Sequence, residues 1–237
     1  MVAVALFAAA GAVLMAAAVP DGPYLRRAPR IDPRALSVIW RHPPVRASAF
    51  GYFGHMWELY AFFVLVPAIV VHRWPDLTAA GQSAWVFAVI AAGAVACVLG
   101  GLLARRLGGA SVASVLLAVG AACGLVSPWM VDAPLAVWAI WIVLWGFCVS
   151  GDSPQFSALT AQNAPREWVG SVLTFVNCIG FSLSVLTILG FSAAVRAWGL
   201  AAVLPWLALG PLLGLWAMAP LWREGASGAR SGAGGKS

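Results

Sequence analysis

Two ionisable side chains, His55 and Glu58, lie three residues apart inside the strongly apolar segment Ser48–Val71. A charged group in the hydrocarbon of a bilayer costs at least a few kcal/mol, so such residues are functional candidates. Glu58 lies about 15 Å along the helix axis, and the spacing puts His55 on the same helix face. A carboxyl group beside an imidazole can gain and lose a proton during a transport cycle. The alternative is a structural carboxyl that only hydrogen-bonds a neighbouring helix.

Three further polar residues, Asp152, Gln155 and Asn177, stand in or beside later apolar segments. If the fifth segment ends at Gly151, Asp152 is a loop residue. If its helix continues to Asn163, Asp152 lies about 16 Å inside the helix end. The sequence pattern fits both interpretations. Asn177, nine residues into the sixth segment, either hydrogen-bonds a neighbouring helix or contacts a substrate. Gln155 is a weaker candidate of the same kind.

The composition defines the elements that must position these residues. The chain has 237 residues, of which 62% are apolar and only 9% are charged. A soluble domain carries about a quarter of its residues as Asp, Glu, Lys or Arg. The composition therefore excludes a soluble enzyme, a disordered chain and a nucleic-acid-binding protein, and it indicates an all-α, polytopic membrane protein. Seven apolar segments are near the length that spans a bilayer: Met1–Val19, Ser48–Val71, Ser83–Ala104, Ala110–Met130, Pro134–Gly151 or longer, Trp168–Val195 and Leu200–Trp222.

The basic residues predict the orientation. Twelve of the fourteen Lys and Arg residues fall in loops on one predicted side, and only Arg73 and Arg196 fall on the other. Because basic loops stay in the cytoplasm during insertion, we expect the N-terminus outside and the C-terminus in the cytoplasm. The expected location is the cell (inner) membrane. A secretory signal peptide is disfavoured, since no basic residue precedes the first apolar run.

The same pattern divides the chain into four parts. Residues 1–20 form a first transmembrane helix, and residues 21–46 form a basic cytoplasmic linker. Residues 47–223 form a six-helix transmembrane bundle. Residues 224–237 are rich in Gly and Ser and are predicted to be a disordered cytoplasmic tail.

Enzyme chemistry and cofactors are not expected. The four cysteines fall in four different segments without paired spacing, so no redox or metal motif is present. Only His55 of the three histidines is deep in a segment, which disfavours haem ligation. Lys236, the only lysine, lies in the tail, so retinal attachment is excluded. A non-retinal seven-helix receptor or sensor remains the alternative to a transporter.

Several stretches together carry a family resemblance. A long basic loop, 21–46, precedes six apolar segments, and the turn after the third segment reads Gly101-Leu-Leu-Ala-Arg105-Arg106-Leu-Gly108-Gly109. Two later stretches, 151–165 and 170–181, combine Gly with Asp152 or Asn177. Together these features resemble the C-terminal half of a major facilitator superfamily transporter, with similarity to the anion-porter-like (nitrate/nitrite or cyanate) group.

The resemblance implies that the first segment corresponds to helix six and the remainder to helices seven to twelve. It also implies a substrate cavity lined by helices seven, ten and eleven, hence by Glu58, Asp152 and Asn177. The expected function is secondary-active transport of a small polar or anionic solute, proton-coupled through Glu58. Substrate and proton pathway residues are expected to be the following: His55, Glu58, Asp152, Gln155 and Asn177.

The loop after the third segment is similar to the superfamily's G-x-x-x-D-R-x-G-R motif. Its matching residues, Gly101, Arg105, Arg106 and Gly108, are expected to form a cytoplasmic gating turn, with Arg105 where the family has an acidic residue. The family's transport path lies between two six-helix bundles. The resemblance therefore implies a partner, either a complementary N-terminal half or a second copy of this chain.

Overall fold

Helices account for all regular secondary structure in the computed structural model, which describes residues 2–19 and 31–233. No strand occurs among these residues, which confirms the all-α prediction. The chain divides into two compact units. In the first, α1 covers Val2–Ala18, as predicted for the first apolar segment. The second begins at Ile31 and contains the remaining helices.

Residues 31–46 of the predicted linker are described, whereas residues 21–30 lie outside the described residues. A short helix, α2 (Ala35–Arg41), buries Ala35 and Ile39 against the bundle. Asp32 N donates a hydrogen bond of 3.2 Å to Ser171 Oγ, which ties the linker to the start of a later helix. The first helix of the bundle, α3 (Pro43–Arg73), begins four residues before the predicted boundary at residue 47. Prolines occupy its first two positions, which is typical of a helix start. The N–H groups of the first turn have no acceptor within the helix, so a residue without an N–H is tolerated there.

The other predicted segments are also helical. They are α4 (Ala79–Leu107), α5 (Gly109–Leu125) with the short α6 (Ser127–Met130), α7 (Leu135–Gly151) with α8 (Ser153–Asn163), α9 (Val169–Trp198), and the final group α10 (Leu200–Val203), a 3₁₀ turn (Leu204–Ala208) and α11 (Leu209–Ala233). Among the described residues, five helical stretches are long and apolar enough to cross a membrane, and α7 and α8 count together as one of them. Ala5–Ala18 and α5 are shorter apolar helices.

The last helix is longer than the predicted span. The structure continues α11 to Ala233, whereas the sequence pattern predicts a disordered tail from residue 224. Residues 234–237 of that predicted tail lie outside the described residues.

Contacts between loops define two ends of the bundle. At one end, here called the α2 end, Ser171 meets the linker, and Gly109 at the start of α5 lies against Leu159 of α8. At the opposite end, called the far end, His72 Nε2 lies 3.0 Å from Asp132 Oδ1. The long helices α3, α4, α5, α9 and α11 and the α7–α8 span therefore cross between these ends, as alternating spans must.

Small residues let the helix backbones approach closely. On α3, Gly54 meets the backbone of Gly210 on α11, where a methyl group on either glycine would collide with the other helix. On α4, Gly93 faces Ser150 of α7, and Gly146 of α7 faces the backbone of Val89. Close approach at small residues is the usual basis of helix association in bilayers. These contacts fix α3 and α7, the two helices that carry the candidate site.

Candidate functional site

The candidate site lies at the middle of α3. This helix has 31 residues, about 46 Å in length, and Glu58 is its central residue. The side chains of His55, Glu58 and Asp152 are 0%, 1% and 1% exposed. Three ionisable groups are thus enclosed together in the interior of the bundle, where isolated charges are strongly disfavoured. We call these three residues the buried acidic cluster.

Glu58 is held by an indole from the α7 helix. Trp145 Nε1 donates a hydrogen bond of 2.7 Å to Glu58 Oε1. The Trp145 ring packs on Phe62, with 4.7 Å between ring centroids. The other carboxylate oxygen faces α5, where a Cβ added to Gly120 would lie 3.2 Å from Glu58 Oε2. The carboxyl group therefore points between α5 and α7, into the interior of this bundle.

His55 is paired with Asp152 rather than with Glu58. His55 Nδ1 lies 3.0 Å from Asp152 Oδ1, within ion-pair distance when the imidazole is protonated, although neither atom has a partner of hydrogen-bond geometry. The sequence analysis treats His55 as the neighbour of Glu58, because the three-residue spacing puts both on one helix face. The structure keeps both on the buried face, but the imidazole extends toward the junction of α7 and α8. That direction gives the histidine a different carboxyl partner.

Asp152 lies inside a span, at the single residue between α7 and α8. Its carbonyl accepts hydrogen bonds from Gln155 N at 3.0 Å and Phe156 N at 3.2 Å, so the helical path continues through it. The eleven residues of α8 place Asp152 about 16 Å from the end at Asn163. Of the two interpretations left open by the sequence, the structure has the continued helix.

Aromatic side chains cover the His55–Asp152 pair on its α2 side. The ring of Phe156 is 5.5 Å from the His55 ring, and the ring of Tyr52 is 6.0 Å from it. Gly180 of α9 packs directly on Tyr52. Helices α3, α8 and α9, the counterparts of helices seven, ten and eleven in the family resemblance, therefore meet at this point.

Two of the predicted pathway residues lie apart from the cluster. Gln155 is buried, but its amide points toward α5 at the α2 end, since a Cβ on Gly109 would lie 3.5 Å from its Oε1. Asn177 is half-buried on α9, and its side chain makes no hydrogen bond to any residue in the ranges 2–19 and 31–233. The structure unites His55, Glu58 and Asp152 but joins neither amide to them.

The predicted gating turn forms the connection between α4 and α5. Gly108 has φ +84°, a conformation that glycine adopts without strain. Arg105 and Arg106 precede it at the end of α4 and are exposed, and Gly101 has open space around its Cα. The turn is present at the predicted residues, and its part in gating stays a prediction.

Sequence reasoning missed Trp145 and the role of Gly120 in the site. Trp138, Trp141 and Trp145 recur every three or four residues along α7, and the last two lie well inside it, away from the segment ends where tryptophan is usually found. A buried indole N–H normally finds an acceptor. Trp141 Nε1 donates a hydrogen bond to Cys123 O at 3.0 Å, and Trp145 Nε1 donates one to Glu58 Oε1. An interior tryptophan stripe was therefore the available signal.

The buried acidic cluster consists of side chains that can titrate. Two carboxyl groups and one imidazole can each bind or release a proton, and they are joined to two helices, α3 and the α7–α8 span. No group of three or more His, Cys, Asp or Glu side chains that could hold a metal ion occurs within the described part of the chain. The site is thus a set of titratable groups in the interior of a polytopic helical membrane protein.

Comparison with known proteins identifies the family. The family model of the Major Facilitator Superfamily matches residues 1–188, about four-fifths of the chain. The chain therefore belongs to the Major Facilitator Superfamily, whose members are membrane transporters. No curated protein and no solved structure gives a significant match to this chain.

Proposed function

We propose that this chain is one bundle of a secondary-active transporter that moves a small polar or anionic solute together with protons. The observation that carries the proposal is the buried acidic cluster, which lies at mid-span in a member of a transporter family. Ionisable residues inside membrane-spanning segments usually have a function, because their insertion into the bilayer is costly. Glu58 is the coupling residue, and the His55–Asp152 pair adjusts the charge beside it.

The charges of the cluster suggest how a proton and an anion could move together. With all three groups ionised, the two carboxylates outweigh the imidazolium, and an anion near them is repelled. Protonation of Glu58 removes one negative charge and weakens the repulsion. An anionic solute therefore enters favourably only with a proton, which is the requirement for symport. A neutral polar solute would use the same groups as hydrogen-bond partners.

Transport needs a second bundle, since alternating access is the movement of one bundle against another around the site. We infer that the second bundle is either a complementary N-terminal half or a second copy of the chain.

The arrangement of basic residues supports an orientation with the α2 end in the cytoplasm. The described part of the linker (31–46), the α4–α5 turn and the α8–α9 connection carry most of the arginines of the described residues, and they lie at this end. Because basic loops are retained in the cytoplasm, the proposed orientation has the C-terminus in the cytoplasm and the N-terminus on the outer side of the cell membrane.

The test is solute uptake into vesicles that contain the chain with its second bundle. Nitrate, nitrite and cyanate are the first probes, because the anion-porter-like group is the one the sequence resembles. We expect uptake driven by an inward proton gradient and loss of that dependence in Glu58→Gln. Glu167→Gln is the matched control, because Glu167 is exposed in the α8–α9 connection. Uptake that responds equally to the gradient in both variants would contradict coupling through Glu58.

A further inference from the structure

A groove at the α2 end combines an apolar floor with a cation at its mouth. It lies between the start of α3 and the later part of α11 and has a volume of about 450 Å³. We propose that this groove binds an anionic phospholipid, with an acyl chain along the apolar floor and the phosphate at Arg46. The lining residues are Pro43, Pro44, Arg46, Ala47, Phe50, Trp216, Ala217, Pro220 and Leu221.

The depth of the groove matches the position of a lipid head group. Helix α3 is about 46 Å long, whereas the hydrocarbon core of a bilayer is about 30 Å thick. A centred helix therefore has about 8 Å of its length in the polar zone at each end. Arg46 lies about 5 Å from the helix start and Phe50 about 10 Å from it. The cation is thus at head-group level, and the apolar floor continues into the hydrocarbon.

The cation is partly positioned before a ligand arrives. Arg46 Nη1 donates a hydrogen bond of 3.2 Å to Trp40 O at the end of α2. The ring of Trp40 packs edge-on against Phe50, with 5.4 Å between centroids. The remaining guanidinium donors are available to phosphate oxygens, which arginine binds well. Trp216, 80% exposed at the edge of the groove, offers a further ring to a lipid at the interface.

A second groove serves as an internal comparison. At the far end, α3, α9 and the 3₁₀ turn enclose about 520 Å³. Its lining includes Trp57, Phe191 and Trp206 and contains no charged residue. An apolar lining is therefore present in both of these grooves, and of the two only the groove lined by Arg46 adds an arginine. Basic pockets between transmembrane helices are the sites at which anionic lipid head groups bind, so charge selects the occupant.

The experiment is native mass spectrometry of the whole chain, titrated with phosphatidylglycerol or phosphatidylcholine. We expect preferential binding of phosphatidylglycerol, and about fivefold weaker binding in Arg46→Gln, the effect of one basic residue near the membrane surface. Arg166→Gln, which removes an exposed charge at the same end, should leave binding unchanged. Ala217→Phe should weaken the binding of both lipids, because the larger side chain fills the apolar floor of the groove.

Three results would overturn the proposal. Equal binding of the two lipids would show that the arginine does not select a head group. Equal losses in Arg46→Gln and Arg166→Gln would show a general surface-charge effect. Displacement of phosphatidylglycerol by millimolar inorganic phosphate would show that the site takes a free anion and needs no acyl chain. Retained helicity by circular dichroism in each variant excludes misfolding as the cause of a loss.

Discussion

Trp145 Nε1 donates a 2.7 Å hydrogen bond to Glu58 Oε1, and this bond joins α7 to α3 at the middle of the bundle. A second link between the same two spans, the 3.0 Å contact of His55 with Asp152, lies near the junction of α7 and α8. Any movement of the α7–α8 span relative to α3 must therefore change the surroundings of both carboxyl groups. On the proposed function, proton binding at these carboxyl groups would respond to such a movement.

The Trp145–Glu58 bond should contribute measurably to stability. Trp145→Phe keeps an aromatic ring against Phe62 but removes the donor. Hydrogen bonds between membrane helices contribute about 0.6 kcal/mol on average and up to about 1.7 kcal/mol. Because the acceptor is buried, we expect a loss of about 1 kcal/mol in the free energy of unfolding, measured in detergent. In Glu58→Met, which has no oxygen acceptor, most of this loss should disappear, since the two changes remove the same bond.

Trp141→Phe is the matched control for this double-mutant cycle of Trp145 and Glu58. It removes an indole that donates to the Cys123 carbonyl at 3.0 Å and not to a carboxyl group. Its effect should therefore add to that of Glu58→Met within error. Additivity of Trp145→Phe with Glu58→Met as well would be evidence that the observed bond carries no coupling energy.

Gly120 should be intolerant of a side chain. Its Cα faces the Glu58 carboxylate, and a methyl group there would lie 3.2 Å from Oε2. We expect Gly120→Ala to lower the melting temperature. Gly170→Ala, in α9 where open space surrounds the glycine, should be neutral or stabilising, because alanine is the better helix former by about 1 kcal/mol. Equal melting temperatures of the two variants would contradict the observed packing of Glu58 on α5.

His55 and Asp152 should show strong coupling. Breaking a buried ion pair by removing one partner costs about 3–5 kcal/mol, because the remaining charge is unpaired. We therefore expect His55→Gln and Asp152→Asn each to destabilise the protein strongly. The double variant, which places two neutral amides together, should cost less than the sum. Equilibrium unfolding of the four proteins gives the coupling energy, and a value near zero would refute the pairing.

Much of the fold was accessible from the sequence, because each span is a long apolar run with few charges. The boundaries were less accessible, since they depend on contacts that the run itself does not encode. Helix α3 begins at Pro43, and α2 folds onto the bundle through Ala35 and Ile39. A linker defined by its charge conceals a short helix whose burial depends on its neighbours.

The sequence predicted the residues of the candidate site better than it predicted the contacts between them. His55, Glu58 and Asp152 stand out in sequence, because ionisable residues are rare in apolar segments. Their partners could not be derived, since the spacing of His55 and Glu58 reports only a shared helix face. Which neighbouring helix each side chain meets is decided by tertiary packing, and so Trp145 was missed. Asn177 is polar and central in its segment, yet lies outside the cluster.

Coupling through Glu58 is tested most directly by infrared difference spectroscopy of the carboxyl groups. The chain, reconstituted with its second bundle, is compared between acidic and alkaline buffer. Our account predicts that the C=O stretch of a protonated carboxylic acid decreases as the pH is raised and that this change is absent in Glu58→Gln but retained in Glu167→Gln. A difference spectrum that is the same in Glu58→Gln as in the unaltered chain would show that Glu58 does not exchange a proton and serves only to join the helices.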